Sequence, residues 1–304
     1  MLLRFVRQAS LLLAAVLALH WPAGLFAADQ PARGFLWEAK RGGHSVLLLG
    51  SIHVGRPAPE AMRYEQAPAL RRAEVIAFEA NVFDARASLA ATERWAMYPE
   101  GGPGLDAHLD AATLARIDRL VARAGGGMPA CCRMKPWMLA NTLVVLEAMR
   151  AGFSPAYGSE AQIYQFAMAA GKPVVEIESI EEQLRLFGEA ADGVQIDYLR
   201  YTVETIESGS GLAEIERLVG AWERGDVAAM ERLAGEMMRS DRAAQRFVAE
   251  RIVRGRHPKM VAAIERFAAS GRLHLVVIGA LHYFGPDGLL AMLRERGYTV
   301  TRLP

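Results

Sequence analysis

The sequence predicts an α/β fold. Its central sheet is built from two strand–Gly-x-x-His–helix–strand units near the chain ends, and the section between them is largely helical. Three observations predict it. Apolar runs of strand length at residues 45–49, 75–78, 174–177 and 273–278 each stop at a Gly or a Glu. Helical periodicity dominates from residue 114 to residue 269. Finally, Gly50-Ser51-Ile52-His53 near one end is matched by Gly279-Ala280-Leu281-His282 near the other.

In chain order, the run 45–49 reads as a buried strand. Pro57 and Pro59 open a helix over 60–72, because proline suits a first helical turn. Residues 75–78 give a second strand that ends on Glu79. Strand, helix and strand with short links favour parallel strands and a right-handed crossover. Helices follow at 114–124, 137–150 and 160–170, then a strand at 174–177 that closes on Glu178. Amphipathic helices continue at 180–190, 196–208, 213–224, 227–238, 243–254 and 258–269, punctuated by Gly209, Gly211 and Gly225. Residues 273–278 form a strongly apolar strand, 286–296 a helix stopped by Gly297, and 298–303 a closing strand. No linker rich in Pro or Ser divides residues 29–304, which read as a single domain.

The first 28 residues read as a secretory signal peptide. Arg4 and Arg7 precede an apolar run at 11–19, Pro22 and Gly24 break it, and Ala27 and Ala28 offer the cleavage site. The apolar run is short of the roughly 20 residues a membrane-spanning helix needs. The mature chain is therefore expected to be exported, periplasmic or secreted, without a stable membrane span once the signal is removed. Loss of Arg4 and Arg7 leaves 33 basic against 34 acidic residues, a nearly neutral chain with no basic field for nucleic acid. The basic cluster at 251–256 reads as a solvated helix face. Two cysteines, the adjacent Cys131 and Cys132, exclude a disulfide framework and a cysteine-rich zinc module.

The chemistry is expected at the repeat. Each Gly-x-x-His follows an apolar strand, each has a proline four residues past its His, at Pro57 and Pro286, and each leads into Ala-Met, at Ala61-Met62 and Ala291-Met292. A lone His at a strand end is most often a hydrogen-bonded structural residue; two in matched surroundings carry more weight. Ligands of parallel α/β sheets bind beyond the carboxyl ends of the strands. If both halves join one sheet, His53, Glu79 and His282 converge there. Two imidazoles and a carboxylate suit a divalent transition metal, which could activate water; the carboxylate could instead act as general base. His44, His108 and His274 lack the repeated context.

These residues also carry a resemblance. The stretch LLLGSIHVG within 46–55, VIAFEA at 75–80, Lys135-Pro136-Trp137, the Gly-x-acidic turn at 158–160, IESIEEQL at 177–184 and the block 279–300 are similar, in order, to the motifs of the TraB/PrgY/GumN family, related to the Tiki metalloproteases. Ser51 stands where Thr is usual, and His257, after Arg256, stands where Asn is usual. The resemblance implies a metal-dependent active centre made by His53, Glu79 and His282, with Arg256 and Ser51 as polar neighbours. Tiki members cleave peptide near a secreted ligand's N-terminus with manganese- or cobalt-type ions; zinc is a further candidate here. Other relatives are tied to peptide pheromones or polysaccharide gene clusters. Two readings result. One is an exported metal-dependent hydrolase of peptide or protein substrates, in which Trp137 and Tyr283 could line the cleft, although Trp137, following Pro136 at the start of a helix, reads more readily as core packing. The alternative is a non-catalytic protein that binds a peptide or small ligand on the same scaffold.

Overall fold

The computed structural model describes residues 34–57 and 68–303. The expected signal peptide and most of the first helix, with Pro59, Ala61 and Met62, lie outside the described residues. The last turn of that helix is present as Pro68–Arg72.

Six strands make one mixed sheet: β1 (Phe35–Arg41), β2 (His44–Ser51), β3 (Val75–Phe78), β4 (Val174–Glu176), β5 (His274–Gly279) and β6 (Thr299–Arg302), in the order β4-β3-β5-β2-β1-β6. β4, β3, β5 and β2 run parallel, while β1 is antiparallel to both β2 and β6. The strands of both repeat units are present among the described residues, and each connection skips the neighbouring strand. The connection from β2 to β3 leaves a gap that β5 fills, and the chain after β5 steps over β2 and β1 to reach the far edge. The sheet therefore closes with strands from both ends of the chain interleaved.

The apolar runs predicted as strands are strands because both faces of the sheet are covered, as parallel strands require. Val46, Leu48, Ala77, Val276 and Ile278 meet helices His257–Ala268 and Leu289–Glu295 on one face. Leu47, Leu49, Ile76, Phe78, Leu275 and Val277 meet Leu70, Ile163 and Ala167 on the other. A third apolar cluster joins helices of the middle section, with Ile117, Trp137, Leu139, Leu184 and Leu199 at its centre.

Three elements differ from the sequence reading. β1 was not expected; it pairs with β2 through Gly42 and Gly43, both at positive φ, a two-residue turn that only glycine adopts cheaply in succession. The helix Ala85–Trp95 was not expected either; Asp84 caps it by accepting from the Ala87 N–H. The helix expected over 243–254 keeps its α form only over Ala243–Phe247, then widens to a π-helix at Val248–Val253 and tightens to a 3₁₀ turn at Arg254–Arg256. Such π segments often occur at functional sites, and this one ends on Arg256. Cys131 is buried, Cys132 is exposed and both are free thiols. No helix among the described residues is long and apolar enough to cross a membrane.

Because β5 is the strand that unites the two halves, its packing should be costly to disturb. Leu275 is fully buried between β2 and β3. Leu275→Ala is expected to lower unfolding free energy by about 2–5 kcal/mol in urea titration, with the urea slope unchanged.

Candidate active site

The insertion of β5 brings the C-terminal ends of three parallel strands to the same edge of the sheet. Ser51 lies opposite Gly279, and Phe78 lies opposite Val277. The Glu79 N–H donates to the Val277 carbonyl at 2.8 Å, so the residue after β3 is still tied to β5. Neither repeat glycine is among the residues at positive φ. A side chain at Gly50 would press on Phe35 Cβ and Ala280 Cα, both at 3.2 Å, so close approach rather than an unusual turn selects glycine there.

The Glu79 carboxylate is bonded on both oxygens. Its Oε2 accepts from the Gly279 N–H at 3.0 Å. Its Oε1 accepts from Gln183 Nε2 at 3.0 Å and Arg256 Nη2 at 2.6 Å. Arg256 also donates from Nε and Nη2 to Glu178 Oε2, at 2.8 and 2.6 Å. Arg256 and Glu178 are both buried, so part of the basic cluster expected to face solvent instead sits between two carboxylates. Such charges are tolerable in the interior only when paired and hydrogen-bonded, as here. His282 brings Nε2 to 3.9 Å from Glu79 Oε2, while its Nδ1 lies 3.1 Å from His257 Nε2. His257 Nδ1 in turn lies 2.7 Å from the Asp287 carbonyl oxygen.

Burial alone would favour protonated Glu79, but His282, Arg256 and the Gly279 N–H outweigh it and hold the carboxyl at about 2. Burial lowers His282 to about 3, against the pull of Glu79 and with help from Arg256. An imidazole so depressed is neutral near pH 7, so there Arg256 and Gly279 are what keep Glu79 ionised. The result is a charged carboxylate beside a neutral imidazole, the two forms that bind a metal.

His53 is built from a different contact. The Ile52 N–H donates to Ser159 Oγ at 2.8 Å, and the Ser159 N–H returns a bond to the Ile52 carbonyl at 2.9 Å. This approach needs glycine at 158, where a Cβ would fall 2.4 Å from the His53 carbonyl oxygen. It seats Glu160 in the first turn of helix Ser159–Ala169. Glu160 Oε1 accepts from Ser51 Oγ at 2.8 Å, and its Oε2 lies 2.7 Å from His53 Nδ1. The Glu160 carboxylate draws the His53 pKa upward. The His53 side chain is 75% exposed, so water screens the pair and its stabilising effect is small.

The structure thus groups Glu79, His282 and Arg256 directly. His53 stands at the end of the neighbouring strand and is coupled to both Glu79 and His282 through its charge. Among the described residues, no three His, Cys, Asp or Glu side chains stand close enough together to hold a metal ion. In kind, the donors do fit a divalent transition metal. Each imidazole is steadied through Nδ1 by a hydrogen-bonding partner, the usual support for a histidine ligand, and a charged carboxylate accompanies them. Ser51 reaches Glu160 and supports His53 indirectly.

Trp137 and Tyr283 do not line a cleft. They are 2% and 1% exposed; Trp137 stacks on Phe187 at 4.9 Å between ring centres, and Tyr283 lies 5.0 Å from Trp37. Both aromatics are core residues, because the apolar clusters enclose them. Glu160, Glu178, Gln183 and His257 had no assigned role in the sequence reading. Each had a signal: an acidic residue after a glycine turn, a Glu closing a strand, a Gln one turn along the next helix, and a His beside Arg256.

Comparison with known proteins agrees with the motif order. The TraB/PrgY/gumN family model matches residues 35–302. The chain is also similar to the uncharacterized protein YbaP of Escherichia coli (strain K12) and to that of Shigella flexneri. Each is 25% identical over 175 residues, which is 52% of this chain and 62% of the relative. The match therefore spans less than two thirds of the length of these curated relatives. No solved structure matches the chain.

The His53–Glu160 contact makes a pH prediction for the metal-free protein. A histidine NMR titration should place His53 above the ordinary 6.5, and Glu160→Gln should move its midpoint back down. While Glu160 is ionised, any stability the pair contributes is complete below pH 6.5 and is lost as pH rises through the raised His53 midpoint. An unchanged midpoint in Glu160→Gln would remove Glu160 as the cause.

Proposed function

We propose that this chain, which belongs to the TraB/PrgY/gumN family, is an exported metal-dependent hydrolase that acts on peptide bonds. The observation that carries the reading is the meeting of Glu79 and His282 at the sheet edge where His53 also emerges, each imidazole steadied through Nδ1. The likeness to Tiki metalloproteases supports the peptide bond as the bond cleaved.

In this reading His53 Nε2, Glu79 Oε2 and His282 Nε2 would hold a divalent ion of the manganese or cobalt type, with zinc as an alternative. Such an ion supplies Lewis acidity, polarising a scissile carbonyl and easing proton loss from water. Arg256 and the Gly279 N–H keep Glu79 ionised and fix its direction. The ionised carboxylate that these contacts favour is the form in which Glu79 would serve as a ligand. Glu160 fixes the ring of His53 and balances its charge. Glu178 holds Arg256 from behind, so that the guanidinium is shared between two carboxylates.

The binding-protein reading is favoured by one observation: no three donors are gathered among the described residues, and His53 is bonded to Glu160 at the surface. On that view the edge captures a peptide or small ligand without chemistry.

Digestion of a peptide library with added manganese, cobalt or zinc, with and without chelator, separates the two. The hydrolase reading expects cleavage that chelator abolishes. It also expects Glu79→Gln to lose more than about 100-fold in turnover while keeping its circular dichroism spectrum, since a ligand should matter at least as much as its supporting contacts. If the wild-type protein binds none of the three ions in calorimetric titration, the metal-dependent reading fails.

A further inference from the structure

We propose that His257 is a positioning residue that fixes the tautomer of His282, leaving a bare Nε2 on His282 turned towards Glu79. The geometry allows one assignment for uncharged rings. A backbone carbonyl can only accept, so the 2.7 Å contact at Asp287 is donated by the Nδ1–H of His257. The Asp287 carboxylate is occupied elsewhere, 2.9 Å from Arg254. With its proton on Nδ1, His257 has an unprotonated Nε2, which also can only accept. The 3.1 Å contact must then be donated by His282 Nδ1. His282 therefore carries its proton on Nδ1 and its lone pair on Nε2, 3.9 Å from Glu79 Oε2. The opposite tautomer would set two lone pairs against each other across 3.1 Å in a buried place, with His257 3% and His282 7% exposed.

The fold maintains this relay by backbone means. His257 opens the helix His257–Ala268 directly after the 3₁₀ turn that carries Arg256. One short segment thus presents the guanidinium to Glu79 and the imidazole to His282. The residue that departs from the resembling pattern therefore still makes a polar contact to the site.

The tautomer stands on the contacts alone; its consequence for ion affinity rests on the hydrolase reading above. Two-bond ¹H–¹⁵N correlation spectra of the metal-free wild-type protein read it directly. The expected result is a protonated, pyrrole-type Nδ1 and an unprotonated, pyridine-type Nε2 on His282. His257→Gln, whose carbonyl oxygen can still accept, should keep that pattern, and His257→Phe should release His282 to a mixture or to the opposite tautomer. Zinc titration should show His257→Phe about 10–100-fold weaker than wild type and His257→Gln within a few-fold of it. A wild-type His282 with its proton on Nε2 overturns the proposal, whether or not either variant folds. So does a folded His257→Phe with the wild-type pattern. If the tautomer is as assigned but wild type binds no ion, the hydrolase reading fails and the role of His257 stands.

Discussion

The hydrogen-bond ladders on either side of β5 are what the rest of the molecule depends on. β5 comes from the far end of the chain, yet it lies between β2 and β3, which are close to each other in sequence. Without it those two strands have no common neighbour, and the residues that follow them have no shared edge. With it, Ser51, Gly279 and the backbone of Glu79 are held in one row. Joining strands more than 200 residues apart carries a loop-closure cost that grows only slowly with separation, and the buried apolar faces of β5 offset it.

Charge is arranged around that row with one cation between two anions. Glu79 and Glu178 both bond to Arg256, so this buried trio carries a net formal charge of about −1 when all three are ionised. Desolvating such groups is expensive, and each must be almost fully hydrogen-bonded to persist. Gln183 and the Gly279 N–H complete the set on Glu79, and the Ile252 carbonyl takes one more donor from Arg256. Residual negative charge in a low-dielectric setting favours a cation over an anion.

Much of this was legible in the sequence, and the misses have physical causes. The strands carrying Gly50, Glu79 and Gly279 were readable because burial on two faces demands unbroken apolar runs. β1 escaped notice because Glu38 interrupts its apolar pattern, although Gly42 and Gly43 announce the turn after it. That His53, Glu79 and His282 follow strands ending at one edge could be argued from strand direction, but among the described residues only Glu79 and His282 come close, and His53 pairs with Glu160. Nothing local revealed that Glu160 would reach His53, because the contact depends on Gly158 letting a distant helix approach the backbone within van der Waals range. Composition made the cluster at 251–256 look like a solvated face, and only the resemblance set Arg256 beside the site, since the distortion that turns it inward lies in the backbone rather than in side-chain composition. Trp137 packs in the core, as its place after Pro136 favoured, and Tyr283, a candidate for the cleft, is enclosed by apolar surface as well.

The two histidines of the repeat differ sharply in their access to water. The side chain of His53 is 75% exposed, while that of His282 is 9% exposed and that of Glu79 is 13% exposed. The edge consequently has a lip and a floor. Under the metal-dependent reading, an ion from bulk solvent would meet the exposed imidazole before the two enclosed groups. If the edge takes an ion as proposed, the outer imidazole would govern how fast it enters and the inner pair how tightly it is held, so the two could be tuned by different side chains.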